Sequence, residues 1–292
     1  MYTDSHTHIK MTKTKLDDYS SAEMMKSLKN LGFRFVLDIG TEPGDLKERM
    51  ECVKEISFGE IPSFVHFSVG LWPHTKTIEK TKASLEILEK DIKMGLEHAR
   101  KHKINEREGK AFFALGECGL DRYWNGENAP MLKEGGTVDI EGEENLFIEQ
   151  LKLAKKYNLA VIIHSREAYA PTIKCIDKVG YHKGVIHCYS YGIEEAKTFL
   201  ERGWYISFPG NITFAKTKVA IQRTHDLVSS IPLSKLLLET DAPYMTPVPL
   251  RGTVNTSVKI EHTYKKASEY LGVSVEELCD VVYNNCSNLF NV

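Results

Sequence analysis

The sequence lacks a long apolar run and any paired cysteine motif, and both absences exclude classes of protein. No apolar run approaches the roughly 18 residues of a membrane span, and the N-terminus lacks a basic segment followed by an apolar one. The six cysteines are scattered without a Cys-x-x-Cys pair, which argues against a disulfide framework and a thiolate zinc site. We expect a protein of a reducing compartment, cytoplasmic with the nucleus as the alternative, that does not bind membranes.

The sequence also lacks an excess of either charge. Its 38 Lys and Arg against 40 Asp and Glu give a net charge of −2, so there is no global positive field to hold duplex DNA, and any nucleic-acid contact must be local. Only 10 Pro and 20 Gly, with 42% hydrophobic residues, exclude a disordered, collagen-like or low-complexity chain. The 292 residues suit one α/β barrel with insertions.

Apolar runs of strand length recur along the chain, and each is followed by a segment with helical spacing, as in repeated βα units. The eight runs are residues 2–8, 33–39, 64–71, 112–118, 160–164, 184–188, 204–208 and 236–240. Eight such units predict an α/β protein with a (β/α)₈ TIM barrel, a single domain over residues 1–292. A doubly wound open sheet is the alternative.

Two further segments complete the predicted barrel. Residues 125–141 contain Gly126, Pro130 and a Gly-Gly pair, which predict a long loop after the fourth strand, over the barrel mouth. Residues 274–289 have helical spacing and begin with a capping box of Ser274 and Glu277. We expect this last helix to pack against the bottom or side of the barrel.

Metal-ligating residue types stand at the carboxyl ends of five predicted strands. They are His6 and His8 on the first strand, Glu117 on the fourth, His164 on the fifth, His187 on the sixth and Asp241 after the eighth. His6 and His8 are two residues apart, so their side chains point to one face of the strand. In a barrel all these strand ends surround one cavity. Six ligands exceed the needs of one tetrahedral ion and predict two divalent ions about 3.5 to 4 Å apart, bridged by a carboxylate.

Five motifs, in the same order along the chain, resemble the TatD family of metal-dependent hydrolases in the amidohydrolase superfamily. They are Asp4-Ser5-His6-Thr7-His8, Gly116-Glu117-Cys118-Gly119-Leu120-Asp121, Ile163-His164-Ser165-Arg166, His187-Cys188-Tyr189-Ser190 and Glu239-Thr240-Asp241-Ala242-Pro243-Tyr244. The resemblance implies a (β/α)₈ barrel and a divalent-metal deoxyribonuclease with exonuclease action from the 3′ end. It further implies one ion on His6, His8, Glu117 and Asp241, and a second on Glu117, His164 and His187.

The metal itself has more than one candidate. Four imidazoles favour Zn²⁺, Mn²⁺, Fe or Co over Mg²⁺, because nitrogen ligands are softer than oxygen ligands. The family resemblance instead implies Mg²⁺ or Mn²⁺ as the working ion. The cofactor prediction is therefore two divalent ions, drawn from Mg²⁺, Mn²⁺ and Zn²⁺.

The chain departs from the family pattern at three places, one of which is Ile9-Lys10-Met11, where the family often has an acidic residue. Where the family has Gly-x-His-Pro-His, residues 70–74 read Gly-Leu-Trp-Pro-His, so Trp72 replaces a histidine. We expect Trp72 either to stack on a base or to plug the barrel mouth. The family's Arg-Asn-Glu-Pro is replaced by residues 254–257, Val-Asn-Thr-Ser, which removes one expected phosphate contact.

Roles in catalysis and substrate binding follow from this ligand set. Glu117 is the predicted bridge, and Asp241 is predicted to be both ligand and general base, because it is expected to keep an oxygen facing the metal-bound water. His74, Arg166 and Arg251 are candidate phosphate contacts, and solvated loop charges are the alternative. Six aromatic residues after strand ends are candidate stacking surfaces or core cover: Tyr123, Trp124, Tyr189, Tyr191, Phe208 and Tyr244.

Three functions are consistent with these predictions. The first is a deoxyribonuclease that prefers single-stranded DNA or frayed ends and has no obligate protein partner. The second is a hydrolase of an amide, a lactone or an aminoacyl ester, because superfamily barrels with this metal set also act on carbonyl compounds. The third is a metal-dependent scaffold without turnover, which has no need for an open two-ion site.

Overall fold

The computed structural model describes residues 1–101, 114–134 and 137–291. These residues form an eight-stranded parallel sheet in sequential order, with helices between the strands. The strands are β1 (Thr3–Thr7), β2 (Phe35–Asp38), β3 (Val65–Val69), β4 (Ala114–Asp121), β5 (Ala160–Arg166), β6 (Gly184–Ile186), β7 (Tyr205–Phe208) and β8 (Leu236–Leu238). The α-helices are α1 (Ile9–Lys13), α2 (Asp18–Asn30), α3 (Leu46–Ile56), α4 (Thr75–Glu79), α5 (Thr81–Lys101), α6 (Arg122–Asn125), α7 (Ile140–Tyr157), α8 (Tyr169–Val179), α9 (Ile193–Glu201), α10 (Lys218–Ser230), α11 (Ile260–Leu271) and α12 (Val275–Phe290).

The sheet closes where β1 meets the segment that follows β8. Thr7 forms a parallel bridge with Ala242, and the His8 amide donates to the Ala242 carbonyl at 2.8 Å. The Asp241 amide donates to the His6 carbonyl at 2.9 Å. These contacts make the fold the predicted (β/α)₈ barrel, and the alternative of an open doubly wound sheet is wrong.

Apolar side chains fill the barrel strands on both faces, because the interior packs on one side and the helices cover the other. The clearest example is β5, where Val161, Ile162 and Ile163 are fully buried. At the amino ends of the strands, Phe290 of α12 stacks on Phe35 with ring centroids 5.7 Å apart. The last helix therefore covers the bottom of the barrel, as its sequence predicted. None of the described helices has the length and hydropathy that a bilayer span requires.

Strand boundaries near the mouth differ from the sequence prediction. β4 and β5 are longer than predicted, because their ladder continues until Asp121 pairs with Arg166. β6 and β8 are shorter, so His187 lies one residue and Asp241 three residues beyond the end of its strand. The predicted first two residues of the fourth strand, 112 and 113, lie outside the described residues.

The predicted loop over residues 125–141 is shorter and more regular than expected. Its first residue belongs to α6, a 3₁₀ helix spans Pro130–Glu134, and α7 begins at Ile140. The Asp139 carboxylate accepts a hydrogen bond from the Gly142 amide at 2.8 Å and caps α7, which ends the loop. Residues 135 and 136 lie outside the described part of the chain.

A buried arginine joins β2, β3 and α3. Arg49 of α3 donates through Nη1 to Asp38 Oδ2 at 2.7 Å and through Nη2 to the Ser68 carbonyl at 2.5 Å. Its Nε lies 3.0 Å from Asp45 Oδ1. The other oxygen of Asp38 accepts from the Ile9 amide at 2.8 Å, at the start of α1. The network therefore fixes the chain directly after β1, where His8 lies.

Replacing Arg49 should destabilise the fold strongly. Arg49→Ala leaves the buried Asp38 carboxylate without its cation, and we expect a loss of about 3 to 5 kcal/mol in the free energy of unfolding, measured by chemical denaturation. Lys54→Ala is the matched control, because Lys54 is on the same helix but pairs with Glu51 at the surface. Its cost should be about 0.5 kcal/mol or less. Similar losses in the two variants would contradict the role of the network.

Candidate metal centre

All six residues predicted as metal ligands meet at the carboxyl end of the barrel. They come from β1 and the residue after it, from β4 and β5, and from the segments after β6 and β8: His6, His8, Glu117, His164, His187 and Asp241. Five are buried, and the side chain of His164 is 17% exposed. The barrel thus gathers residues that are distant in sequence because parallel strands end at the same rim.

The first group of potential ligand atoms has the spacing of a metal site. The Nε2 atoms of His6 and His8 are 3.3 Å apart, and they lie 3.4 and 3.6 Å from Glu117 Oε2. Asp241 Oδ1 lies 3.7 Å from His6 Nε2 and 3.6 Å from His8 Nε2. A tetrahedral ion with bonds of about 2.0 to 2.2 Å holds its ligand atoms about 3.3 to 3.6 Å apart. The group therefore fits one divalent ion.

The second group uses the other oxygen of Glu117. Glu117 Oε1 lies 2.9 Å from His164 Nδ1 and 3.1 Å from His187 Nε2, and the two nitrogens are 3.4 Å apart. These separations match neighbouring ligands of an octahedral or tetrahedral ion with bonds of about 2.0 to 2.1 Å, which lie about 2.8 to 3.4 Å apart. Glu117 faces both groups with one oxygen each, which is the geometry that a bridging carboxylate needs.

Two carboxylates orient the histidines of the second group. Asp121 Oδ2 is 2.8 Å from His164 Nε2, and Glu239 Oε1 is 3.3 Å from His187 Nδ1. A carboxylate on the far nitrogen fixes the orientation and tautomer of a ligating imidazole. Sequence analysis gave neither residue a role. Asp121 lies four residues after Glu117 on the same strand, so strand alternation alone places both on the face toward the cavity.

Glu239 also anchors the backbone beside the site. Its Oε1 accepts a hydrogen bond from the Cys188 amide at 2.7 Å. Next to it, the ring of His187 stacks on the ring of His6, with the two centroids 3.9 Å apart. Among the described residues, Glu239 Oε2 and His6 Nδ1 are buried without a hydrogen-bond partner. Glu239, His6 and His187 form a third set of potential ligands. Because the Nε2 atoms of both histidines face Glu117, we assign Glu239 an orienting role.

The charges of the site favour a bound cation. Burial alone would raise the pKa of Glu117, but the charge of His187 and hydrogen bonds from His164, His187 and His6 hold it well below the usual value. Burial would lower the pKa of His164, but hydrogen bonds to Asp121 and Glu117 raise it to about 9. A metal ion would replace the proton that His164 carries at neutral pH, because ligating imidazole must be neutral.

The three predicted phosphate contacts have different surroundings. His74 is exposed and caps α4, where its Nδ1 accepts from the Lys76 amide at 3.2 Å. Arg166 is exposed, and its guanidinium lies 3.9 Å from the centroid of the Tyr123 ring. Arg251 binds its own loop, because it donates to the Thr246 carbonyl at 3.0 Å and stacks on a phenylalanine ring. Of the three, Arg166 lies nearest in sequence to a ligand residue.

The predicted stacking surfaces divide into core and rim. Tyr189 and Phe208 are buried, which makes them core residues and contradicts their candidacy as stacking surfaces, and Tyr191 is half-buried. The exposed fractions are 38% for Tyr123, 44% for Trp124 and 49% for Tyr244. Trp72 is half-buried with its ring against the edge of His164, at a centroid distance of 5.9 Å. Trp72 thus lies at the border of the ligand cluster.

A parallel barrel with histidines and carboxylates at its carboxyl rim defines a hydrolase-type barrel with a candidate metal centre. The family model described as TatD related DNase matches residues 3–291, and the chain belongs to this family of metal-dependent hydrolases. The resemblance that the five sequence motifs carry is confirmed.

Two relatives and two solved structures illustrate the likeness. YcfH of Escherichia coli strain K12, named an uncharacterized metal-dependent hydrolase, is 35% identical over 181 residues, which are 61% of this chain and 63% of YcfH. YabD of Bacillus subtilis strain 168, with the same description, is 26% identical over 294 residues and 100% of both chains. The crystal structure of YJJV, a TatD homolog from Escherichia coli K12, has a TM-score of 0.71 at 26% identity and covers 100% of this chain and 98% of its own. The TatD family hydrolase of Entamoeba histolytica shares the fold, with a TM-score of 0.75 at 18% identity over 99% and 97% of the two chains.

Proposed function

We propose that this protein is a divalent-metal-dependent deoxyribonuclease that cleaves phosphodiester bonds with a metal-activated water, removing nucleotides from the 3′ end. The observation that carries the proposal is the position of Glu117, whose two oxygens face two separate ligand groups at the barrel mouth. Membership of the family described as TatD related DNase supports the choice of substrate.

Two ions suit the chemistry of a charged ester. A DNA phosphodiester carries a negative charge that repels hydroxide; divalent ions held by the two ligand groups would offset this charge and would supply a water of lowered pKa. Two divalent ions would carry four positive charges, and the carboxylates of Glu117 and Asp241 carry two negative charges. The proposed centre is therefore net positive toward a phosphate. Mg²⁺, Mn²⁺ and Zn²⁺ are the candidate ions, and the four imidazoles favour the latter two over Mg²⁺.

Asp241 is the proposed general base. Its side chain is 12% exposed, so it is the first-group carboxylate that water from the mouth can reach most easily; that of Glu117 is 5% exposed. Burial would raise the pKa of Asp241, but a hydrogen bond with His8 and the charges of the neighbouring histidines lower it. The carboxylate is therefore ionised, as both a metal ligand and a proton acceptor must be.

Single-stranded DNA is the proposed form of the substrate. The net charge of −2 gives no general affinity for a duplex backbone. Tyr123, Trp124 and Tyr244 expose their rings at the mouth, and stacking on such rings requires bases that have left the duplex. Single strands and frayed ends satisfy this requirement.

Glu117→Ala should empty both metal sites. Removing the bridge takes one ligand from each group and leaves two cations without the charge between them, so elemental analysis should find a large loss of metal together with loss of hydrolysis. Glu127→Ala is the control, because Glu127 is an exposed carboxylate beyond the same strand. A Glu117→Ala protein with a full metal content and ordinary turnover would overturn the two-ion proposal.

Asp241→Asn should separate metal binding from chemistry. The amide oxygen still binds a cation but cannot accept a proton, so metal content should fall modestly while kcat falls by roughly 10² to 10⁴. The two quantities are measured on the same preparation by elemental analysis and steady-state kinetics. Losses of metal and kcat in equal proportion would make Asp241 a ligand only.

A comparison of matched oligonucleotides tests the substrate. At one salt concentration, the single strand should be digested faster than the blunt duplex, because only the single strand offers unstacked bases. A label at the 5′ end distinguishes removal of nucleotides from the 3′ end from other cleavage. Faster cleavage of the duplex would contradict the single-strand preference. Hydrolysis of an amide, a lactone or an aminoacyl ester without any cleavage of DNA would overturn the nuclease proposal in favour of a carbonyl hydrolase.

A further inference from the structure

Basic residues near the barrel mouth fall into two kinds. Some pair with carboxylates: Lys10 with Glu48, Lys13 with Glu55, and Arg122 with Glu143 and Glu144. Lys15 and Arg166 are exposed, and within the described ranges neither has a carboxylate oxygen within 4.0 Å. These two cations are therefore available to an anionic ligand, and no ion pair has to break first.

Each of the two cations lies over an exposed tyrosine ring. Lys15 Nζ is 4.9 Å from the centroid of Tyr244, and Arg166 Cζ is 3.9 Å from that of Tyr123. Cation–π contact holds each charge beside a flat apolar surface. A phosphate-binding cation next to a ring is the combination that binds one nucleotide of an unpaired strand.

The two pairs are attached to opposite sides of the ligand cluster. Tyr244 lies three residues after Asp241, and its amide donates to the Asp241 carbonyl at 2.8 Å. Helix α1 begins directly after His8, and Lys15 lies two residues beyond the end of that helix. Arg166 follows His164 by two residues, and Tyr123 follows Asp121 by two. Lys15 with Tyr244 therefore adjoins the first ligand group, and Arg166 with Tyr123 adjoins the second.

The backbone hydrogen bond to Asp241 holds Tyr244 beside the first ligand group. Burial raises the pKa of the Tyr244 phenol, and the negative charges of Asp241 and Glu117 raise it further. Nearly half of the residue is exposed, so a base can reach Tyr244 from solvent once Lys15 Nζ moves off the ring.

We propose that Lys15 and Tyr244 form a nucleotide subsite beside the first ligand group, where the lysine binds the phosphate next to the scissile one and the tyrosine stacks on the adjoining base. The subsite rests on the proposed function, because it takes a substrate with at least one phosphate beyond the reacting one. The flexible stem of lysine lets Nζ leave the ring and follow the phosphate. With Arg166 on the other side, the strand would cross the metal centre between two cation–aromatic pairs.

The test compares three variants of the full chain, loaded with the metal that supports wild-type activity: Lys15→Ala, Tyr244→Ala and the control Lys197→Ala. The control Lys197→Ala removes the same charge from α9, where Lys197 pairs with Glu194. Each protein is assayed on a single-stranded oligonucleotide and on bis(p-nitrophenyl) phosphate, which has one phosphate and no neighbouring nucleotide. Thermal melting shows that each variant is folded.

We expect Lys15→Ala and Tyr244→Ala to raise the KM for the oligonucleotide by about 5- to 100-fold, at least five times more than any change with the small diester. Lys15→Ala should also reduce the slope of log affinity against log salt by about 0.7, the effect of one lost phosphate contact on a single strand. Tyr244→Phe should restore most of the loss in Tyr244→Ala, because the phenyl ring still stacks.

Two results would overturn the subsite while the nuclease proposal stands. In the first, Lys15→Ala and Lys197→Ala have the same KM and the same salt slope on DNA. In the second, Lys15→Ala and Tyr244→Ala lose as much activity on the small diester as on the oligonucleotide. Failure of the nuclease proposal is recognised separately, because the wild-type protein would then leave the oligonucleotide intact, whether or not it hydrolyses the small diester. That result would overturn the subsite as well.

Discussion

The seam between β1 and the segment after β8 is the contact on which both the barrel and the metal centre depend. Two backbone hydrogen bonds, from Asp241 to His6 and from His8 to Ala242, close the sheet. The same bonds set the separation of three side chains in the first ligand group. Asp241 has a φ of 52°, in the left-handed region, which aspartate tolerates better than most residues. Closing the barrel and building the site are therefore one structural event, and a shift of either strand would disturb both.

Buried charge is the cost of this arrangement. Asp4, two residues before His6, accepts from the amide and hydroxyl of Thr240 at 2.9 and 2.7 Å, yet burial raises its pKa to about 7. Glu117 and Asp241 keep depressed pKa values because imidazoles surround them. A centre with this many ionisable groups stabilises the fold less than apolar packing would, since desolvation of each charge opposes its ion pairs. A buried cluster of this kind is consistent with a site that binds cations.

The sequence was informative where one local pattern decides the structure. Repeated βα units predicted the barrel, and ligand types at strand ends predicted the six residues that meet at the mouth, because parallel strands share a rim. The roles of Asp121 and Glu239 were missed, since they depend on histidines 43 and 52 residues away. The predicted ends of β6 and β8 were also too late in the chain. A strand ends where its hydrogen bonds to the neighbouring strand end, and the apolar run in the sequence continues past that point.

Under the proposed function, the charge of the protein ties substrate binding to metal binding. The net charge of −2 gives no general attraction for a strand, so within the described residues the attraction of the rim rests on isolated cations such as Lys15 and Arg166, which pair with no carboxylate. Two isolated cations give weak affinity for a polyanion, because each neutralises about one phosphate. The remaining attraction must come from the ions held by Glu117 and its neighbours. Metal loading would then control both affinity and chemistry, and a strand would bind where it can be cut instead of elsewhere on the surface.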